Sequence, residues 1–165
     1  MELNDVIRKR RSIRVYSEEI PSMEEVKKCI DAARFAPSAH NSQPWKFFVV
    51  RDKEKIKMLS KTQKYSVFLE NAPVVVVVAS RETNHFLEDC SCAIMLFMLK
   101  AAELGLGTCW NAVYHPKTRE REEYVKRILG IPEEYRIVAN IGVGYPAEKP
   151  EEKEIKPLEE IMEVI

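Results

Sequence analysis

A dense cluster of cationic side chains lies near the amino end of the chain, in the stretch RKRRSIRVY (residues 8–16). Five of its first seven residues are arginine or lysine, although the formal net charge of the whole chain is +0. Ser12 lies inside the cluster, and Ile13 and Val15 can anchor the stretch by burial. Because guanidinium groups are forked donors to phosphate oxygens and a serine hydroxyl adds a short donor, this pattern favours a rigid phosphate site. The alternatives are a helix end that complements the helix dipole and a solvated charged face.

A loop rich in small and amide side chains lies between a predicted helix and a predicted strand, in the stretch APSAHNSQPWKF (residues 36–47). Asn41, Ser42 and Gln43 together offer several hydrogen-bond donors and acceptors beside the aromatic ring of Trp45. That combination suits hydrogen bonding to a planar polar heterocycle. The alternative interpretation is turn chemistry alone, since proline, serine and asparagine are common in loops of every kind.

A pair of glycines opens the stretch GLGTCW (residues 105–110). The stretch has no third glycine at the spacing of a dinucleotide-binding fingerprint, and it follows a predicted helix where that fingerprint follows a strand. We therefore reject a dinucleotide fingerprint. The glycines are better interpreted as the end of a helix and as positions where the backbone can approach a ligand.

The cysteines and histidines form no recognisable set of metal ligands. Cys90 and Cys92 are two residues apart in a predicted helix, which turns their side chains to different sides. No other pair shows zinc-ligand spacing, so we expect no metal site. Cys109, next to Trp110, could line a ligand site, although a buried free cysteine usually acts as a small hydrophobic residue.

The composition limits the class of protein. The 165 residues are 45% apolar and 32% charged, which is typical of one soluble globular domain. The balanced charge argues against a general nucleic-acid or membrane-surface role, so any such role would need a local patch such as RKRR. The amino end lacks the apolar core of a signal peptide, and no apolar run is long enough to span a membrane. We therefore expect a cytoplasmic protein with reduced thiols and with neither nucleic-acid nor membrane partners.

The elements that must position these stretches follow from periodicity and caps. Helices are predicted for residues 2–11, 22–36, 86–104 and 116–129, with a short helix after Asp52. Strands are predicted for residues 45–50, 73–79, 108–114 and 135–146. The apolar run at 73–79 predicts a central strand covered on both faces. The polar tail after Pro146 has little core of its own, so we expect it to dock on something, such as another subunit.

Four stretches, taken together and in order, resemble the FMN-dependent nitroreductase family: RRSIRVY, APSAHNSQPWKF, AAELGLGTCW and IGVGYPAEKP. The resemblance covers nearly the whole chain, which would be a small member of the family. It implies an α+β fold with a mixed central β-sheet flanked by helices, in an intertwined homodimer that binds FMN at its interface. Residues 1–165 would form a single FMN-binding domain, with residues 147–165 as a tail that docks on the partner subunit.

The resemblance also implies which residues bind FMN. They are Arg10, Arg11, Ser12, Arg14, Pro37, Ser38, Ala39, Asn41, Trp110, Asn111, Ala112 and Lys156. Those of the first stretch would lie at the FMN phosphate, except that Arg14 would lie nearer the pyrimidine end of the flavin. Those of the loop would approach the same flavin from the other subunit, and backbone from Trp110 onward would face the central ring near N5. Lys156 is favoured over Lys153 as the cation with which the tail closes the phosphate site.

Three other side chains are candidates for the same region. His40 could touch the phosphate or a substrate, and Lys64 could lie near the flavin edge. Asp89 belongs to a helix that resembles the substrate-side helix of the family, with a solvated helix face as the alternative.

The predicted activity is the transfer of electrons from NADH or NADPH, through FMN, to a small conjugated acceptor such as a nitroaromatic or a quinone, by a ping-pong mechanism. A reduced flavin is anionic at N1–O2, and a nearby cation such as Arg14 would stabilise it. We expect no catalytic side chain, because the cofactor carries the chemistry. The alternatives are a flavin-binding redox storage or sensor protein with little turnover, and another chemistry of the family such as reductive dehalogenation.

Overall fold

Four antiparallel strands form the central sheet of the computed structural model, which describes residues 2–165. The strands are β1 (Trp45–Val50), β2 (Val74–Arg81), β3 (Gly107–Ala112) and β4 (Tyr135–Gly144). They lie in the order β1-β2-β4-β3, and every neighbouring pair is antiparallel. Helices cover this sheet, so the predicted α+β class is confirmed.

The parallel component expected of a mixed sheet is confined, within residues 2–165, to one bridge between Ser12 and Thr108. At this bridge the N–H of Ile13 donates to the carbonyl oxygen of Thr108 at 2.9 Å. The Ile13 side chain turns into the core, where it is 5% exposed. The expected mixed sheet is therefore corrected to an antiparallel sheet with one parallel bridge on its β3 edge.

Five α-helices and three short 3₁₀ helices surround the sheet in the described chain. The α-helices are α1 (Leu3–Lys9), α2 (Met23–Ala33), α3 (Lys53–Leu59), α4 (Phe86–Glu103) and α5 (Glu120–Leu129). The 3₁₀ helices are Ala39–Asn41, Lys64–Asn71 and Leu158–Glu160. The predicted capping box of α2 is present, because Ser22 and Glu25 exchange side-chain and backbone hydrogen bonds.

Strand β2 runs through the middle of the core and is buried from Val74 to Ser80, as its apolar sequence predicts. Its even-numbered valines pack in one layer with α2 and α4. Its odd-numbered side chains pack in the opposite layer with α3 and α5. Burial of a valine side chain contributes about 1.5–3 kcal/mol, so this strand supplies a large part of the apolar driving force.

The start of α5 differs from its prediction. The sequence predicts that Pro116 begins this helix, but the helix begins at Glu120, and residues 116–117 form a turn. The hydroxyl of Thr118 accepts from the N–H of Glu120 at 3.2 Å, so a local side chain satisfies a donor that a longer helix would have paired. The helix ends as predicted, at Gly130 in the left-handed conformation.

The tail beyond Pro150 is exposed throughout and contains only the short 3₁₀ turn at Leu158–Glu160. It carries exposed apolar side chains, such as Ile155 and Leu158. Its docking on a partner subunit stays a prediction, as do the single-domain organisation and the cytoplasmic location. No helix within residues 2–165 is both long and apolar enough to cross a membrane.

Candidate functional site

The cationic stretch is an extended segment, because α1 ends at Lys9 and Arg10 already has extended backbone angles. Complementation of the helix dipole can therefore explain only Arg8 and Lys9, which lie in the last turn. The cations at positions 10, 11 and 14 need another explanation.

Two buried side chains hold this segment on the sheet, and one of them differs from the prediction. Ile13 is buried as expected, but Val15 is 50% exposed and Tyr16 is buried in its place. The Tyr16 hydroxyl donates to the carbonyl oxygen of Ile13 at 2.6 Å, and burial raises the pKa of this tyrosine. Tyr16 also forms an antiparallel bridge with Pro146, and the neighbouring Val15 side chain lies on the outside.

Gly107 makes the close approach of this segment possible. A Cβ atom on Gly107 would lie 2.8 Å from the Ile13 side chain, a distance that real side chains do not adopt. The protein itself therefore makes a close approach at this glycine. Gly105, with a φ of 84°, follows the end of α4 as predicted.

Arg10, Arg11 and Arg14 form no ion pair with any carboxylate within residues 2–165. The charges of two of these arginines, Arg10 and Arg14, nevertheless act on one buried group, the thiol of Cys109. Burial raises the pKa of Cys109, while the charge of Arg14, the hydroxyl of Ser12 and the charge of Arg10 act to lower it. The N-terminal segment thus presents unpaired positive charge at strand β3.

A cavity of about 440 Å³ lies at this point. It brings together residues from the first and third sequence stretches, namely Arg14, Trp110, Asn111 and Ala112. Tyr65 and Phe68 add aromatic side chains to the same wall. The cavity therefore combines a cation, aromatic surface and polar groups of strand β3, which is the composition of a site for a planar polar molecule.

Side chains from the 3₁₀ helix Lys64–Asn71 and the residue before it fix the end of strand β3. Gln63 Nε2 donates to the carbonyl oxygen of Ala112 at 2.8 Å, and the Ser66 hydroxyl donates to Asn111 Oδ1 at 2.9 Å. Ser66 and Asn111 are both buried. The sequence analysis did not find this element. The spacing of Tyr65 and Phe68, three residues apart, is the one local signal that fits a 3₁₀ helix.

Arg10 and Arg11 line a different, smaller cavity of about 230 Å³, together with Gly107 and Glu148. Ser12 lines neither cavity and forms the bridge to Thr108, a residue that lines the smaller one. The structure therefore brings Arg14 into one cavity with the predicted β3 residues, whereas Arg10 and Arg11 line the other cavity. Lys156 lies in the exposed tail, 3.9 Å from Glu160, and reaches neither cavity.

The loop after α2 adopts an unusual backbone conformation. His40, Asn41 and Gln43 have φ angles of 56°, 53° and 44°, in the left-handed region that non-glycine residues rarely adopt. Such strain is often retained at functional sites. The predicted residues Pro37, Ser38, Ala39 and Asn41 do not line either cavity of their own chain.

Asp89 holds this loop from the first turn of α4. Its Oδ1 accepts from the N–H of Ala39 at 3.0 Å, and its side chain is buried, with Oδ2 unpartnered within residues 2–165. The alternative of a solvated helix face for Asp89 is therefore wrong. Sequence periodicity missed this contact because the partner of the carboxylate is a backbone group 50 residues away.

The cysteines differ in environment. Burial raises the pKa of Cys29 and of Cys90 to about 12, whereas Cys92 is exposed. No group of three or more histidine, cysteine or acidic side chains with metal-site geometry occurs among residues 2–165.

Comparison with known proteins gives consistent matches. The model of the nitroreductase family matches residues 7–145. A protein of Archaeoglobus fulgidus, provisionally named NADH dehydrogenase/NAD(P)H nitroreductase, is 39% identical over 146 residues, covering 85% of this chain and 83% of its own length. The solved structure of an FMN-dependent nitroreductase from Clostridium difficile matches with a TM-score of 0.84 and 33% identity, covering 90% of each chain. An iodotyrosine deiodinase of Thermotoga neapolitana is 27% identical over 171 residues, covering 87% of this chain and 88% of its own.

These matches span the cationic segment, the strained loop and strand β3, all of which lie within residues 7–145. They confirm the family resemblance and the prediction of an oxidoreductase. The predicted cofactors also appear in the names of two matched proteins: NAD(P)H in that of the Archaeoglobus fulgidus protein and FMN in that of the Clostridium difficile protein. On the sequence match and the shared fold together, this chain belongs to the nitroreductase family.

Proposed function

We propose that this protein binds FMN, accepts electrons from NADH or NADPH and passes them to a small conjugated acceptor such as a nitroaromatic or a quinone. The observation that carries the proposal is the cavity at the end of β3. There Arg14, whose guanidinium group forms no ion pair within residues 2–165, lines the same cavity as the aromatic side chains of Trp110 and Tyr65. An unpaired cation next to aromatic surface suits a planar ring system that becomes anionic when it is reduced.

The described residues fit FMN in size and in charge. The cavity, at about 440 Å³, falls within the range of roughly 300–1,000 Å³ that small-molecule sites occupy. Arg10, Arg11 and Ser12 continue the same extended segment and would supply forked donors and a hydroxyl to a phosphate group. We propose that these residues hold the phosphate, with Arg14 at the pyrimidine end.

Bound FMN would supply hydride acceptance from the nicotinamide and electron transfer to the acceptor. The residues of this chain supply binding and electrostatic stabilisation. Arg14 would stabilise negative charge at N1–O2, because a fixed cation in a partly enclosed site needs no reorganisation. Asn111 and Ala112, held by Ser66 and Gln63, would form a rigid wall. A ping-pong order follows if the donor and the acceptor, both planar, use the same cavity in turn.

We also propose that a second copy of the chain completes the site. The loop at 37–41 and Lys156 reach neither cavity of their own chain, so a partner would have to supply them. Exposed apolar side chains offer surface for such a contact, including Leu3 and Ile7 on α1, which are 67% and 51% exposed. The tail at 147–165 would then dock on the partner subunit.

A second candidate activity is reductive dehalogenation, which the similarity to an iodotyrosine deiodinase favours. In this reaction two electrons from the reduced cofactor and one proton replace a carbon–iodine bond with a carbon–hydrogen bond, and iodide leaves.

Anaerobic turnover assays test these activities. The FMN-loaded protein is reduced with NADH or NADPH and then mixed with 1,4-benzoquinone, nitrofurazone or 3-iodotyrosine. We expect repeated cycles with the quinone or the nitro compound. Iodide release with 3-iodotyrosine alone would favour the dehalogenase, and one reduction without turnover on any acceptor would favour redox storage and overturn the proposal.

A further inference from the structure

Glu148 connects the start of the tail to the cationic segment. Its Oε1 accepts a hydrogen bond from the backbone N–H of Arg14 at 2.5 Å and another from the backbone N–H of Val15 at 3.1 Å. The two partners are 134 and 133 residues away in sequence. A carboxylate that accepts from two consecutive backbone amides fixes the orientation of both peptide groups.

The carboxylate extends a short backbone pairing between the same two segments. The N–H of Ser17 donates to the carbonyl oxygen of Tyr145 at 2.9 Å, and the N–H of Ala147 donates to the carbonyl oxygen of Val15 at 3.0 Å. Beyond Ala147 this pairing ends. The Glu148 side chain then serves the backbone donors of Arg14 and Val15, which have no backbone acceptor within residues 2–165.

The charge of Glu148 is unfavourable for the ligand that the site is proposed to hold. Glu148 lines the smaller cavity together with Arg10 and Arg11. Its charge acts to raise the pKa of Cys109, whereas the charge of Arg14 acts to lower it. A carboxylate at this place therefore reduces the positive potential available to a phosphate or a reduced flavin. A positioning role explains why an acidic side chain stands here.

We infer that Glu148 is a positioning residue for Arg14: its carboxylate fixes the backbone at Arg14 and Val15 and thereby holds the Arg14 side chain at the wall of the β3 cavity. The inference rests on the proposed function in one respect, namely that FMN occupies this cavity. Glu148 itself touches no part of that larger cavity, so it acts through Arg14.

Three substitutions separate the position of Glu148 from its charge. Glu148→Gln keeps an oxygen acceptor at the same reach and removes the charge. Glu148→Asp keeps the charge but is one methylene shorter, so it cannot reach both N–H groups. Glu148→Ala removes the acceptor and the charge. Glu134→Ala is the matched control, because Glu134 is exposed, lies outside the tail and both cavities, and forms no ion pair or side-chain hydrogen bond within residues 2–165.

The first measurement is FMN affinity, by quenching of FMN fluorescence, with the reduction potential of the bound flavin measured beside it. We expect Glu148→Ala and Glu148→Asp to weaken FMN binding about tenfold, on the scale of one lost hydrogen bond to a charged group. Their potentials should fall, because Arg14 no longer stabilises the reduced flavin. Glu148→Gln should bind FMN at least as tightly as the wild type and have a reduction potential no lower than that of the wild type, because it keeps the acceptor and removes the negative charge. Glu134→Ala should match the wild type. Equal tightening in the alanine and glutamine variants would show that only the charge matters and would overturn the inference.

The second measurement needs no FMN. Hydrogen–deuterium exchange of the flavin-free protein should show faster exchange at Arg14 and Val15 in Glu148→Ala than in the wild type, with Glu148→Gln close to the wild type. Unchanged protection of these amides in Glu148→Ala would overturn the inference whether or not FMN binds. If Glu148→Ala does not fold, exchange at Arg14 and Val15 is compared between Glu148→Asp and the wild type, and unchanged protection in Glu148→Asp would likewise overturn the inference. Failure of the wild type to bind FMN, with the exchange result as expected, would remove the proposed function and leave the positioning role intact.

Discussion

The buried carboxylate of Asp89 accepts a hydrogen bond from the backbone N–H of Ala39 at 3.0 Å, across 50 residues of sequence. Ala39 begins the turn in which His40, Asn41 and Gln43 hold positive φ angles. Local sequence does not favour these angles, since none of the three residues is glycine. The first turn of α4 therefore imposes part of the loop conformation from outside the loop.

Removal of this carboxylate should destabilise the loop. In Asp89→Ala the N–H of Ala39 loses its acceptor in a half-buried place, so we expect the free energy of unfolding to fall by about 1–3 kcal/mol. Asp89→Asn keeps an oxygen acceptor, so its free energy of unfolding should fall by less than that of Asp89→Ala. Urea denaturation measures both, and Asp31→Ala, on the exposed face of α2, is the control. An Asp89→Ala variant as stable as the wild type would show that the loop holds its conformation without Asp89.

The contact between Ile13 and Gly107 should be sensitive to added volume. Gly107→Ala places a methyl group 2.8 Å from the Ile13 side chain, and such overpacking costs about 1–3 kcal/mol. Ile13→Ala leaves space at this point. It should therefore lower the free energy of unfolding by less in the Gly107→Ala variant than in the wild type. Thermal unfolding of the two single variants and the double variant measures this coupling. If the stability loss of the double variant equals the sum of the losses of the two single variants, the close packing of Ile13 and Gly107 is contradicted.

The cationic segment should matter for the cofactor and little for the fold. Arg10 and Arg14 form no ion pair within residues 2–165, so their replacement by alanine removes no native pair. We expect Arg10→Ala/Arg14→Ala to unfold cooperatively near the wild-type temperature and to purify without flavin. Arg8→Ala, in the last turn of α1, is a control that should retain flavin. Full flavin retention in the double variant, measured by absorbance after desalting, would remove the phosphate-site assignment.

The buried thiols should make stability depend on alkaline pH. Burial raises the pKa of Cys29 and Cys90 from 9.0 to about 12. Above pH 9 these thiols ionise in the unfolded chain but stay protonated in the folded one, so stability should fall between about pH 9 and 12, by up to about 1.4 kcal/mol per unit for each thiol. Below pH 9 both states are protonated and the effect vanishes.

Cys90→Ala should flatten this dependence, which urea denaturation at several pH values between 8 and 11 can measure. The same burial predicts that iodoacetamide at pH 8 labels the exposed Cys92 and leaves Cys29 and Cys90 unlabelled until the protein unfolds. Rapid labelling of Cys29 or Cys90 in the folded protein would contradict their burial.

The parts of the fold that the sequence predicted are those with strong local patterns. The run of valines in β2 required a covered central strand, and the capping box at Ser22 placed the start of α2. The glycine at 130 placed the end of α5. Each of these signals lies within a few residues of the feature that it predicts, so no tertiary information was needed.

The features that sequence analysis missed depend on distant partners. The 3₁₀ helix at Lys64–Asn71 is held by Ser66 and by the preceding Gln63, whose partners lie on β3. The burial of Asp89 and the role of Glu148 likewise depend on backbone groups at least 50 residues away. The site prediction could find the residue types at Arg14 and Asn111, but it could not say which of its residues share a cavity within one chain.

The visible absorbance spectrum of the purified protein tests the central claim most directly. The protein is desalted, incubated with FMN if it is colourless, desalted again and scanned before and after anaerobic addition of NADH or NADPH. If the cationic segment and the end of β3 hold FMN, the spectrum will show two flavin bands near equimolar occupancy, and the nicotinamide will bleach them. A folded wild-type protein that takes up no FMN even at millimolar concentration would contradict the account, and the unpaired arginines would then need another ligand.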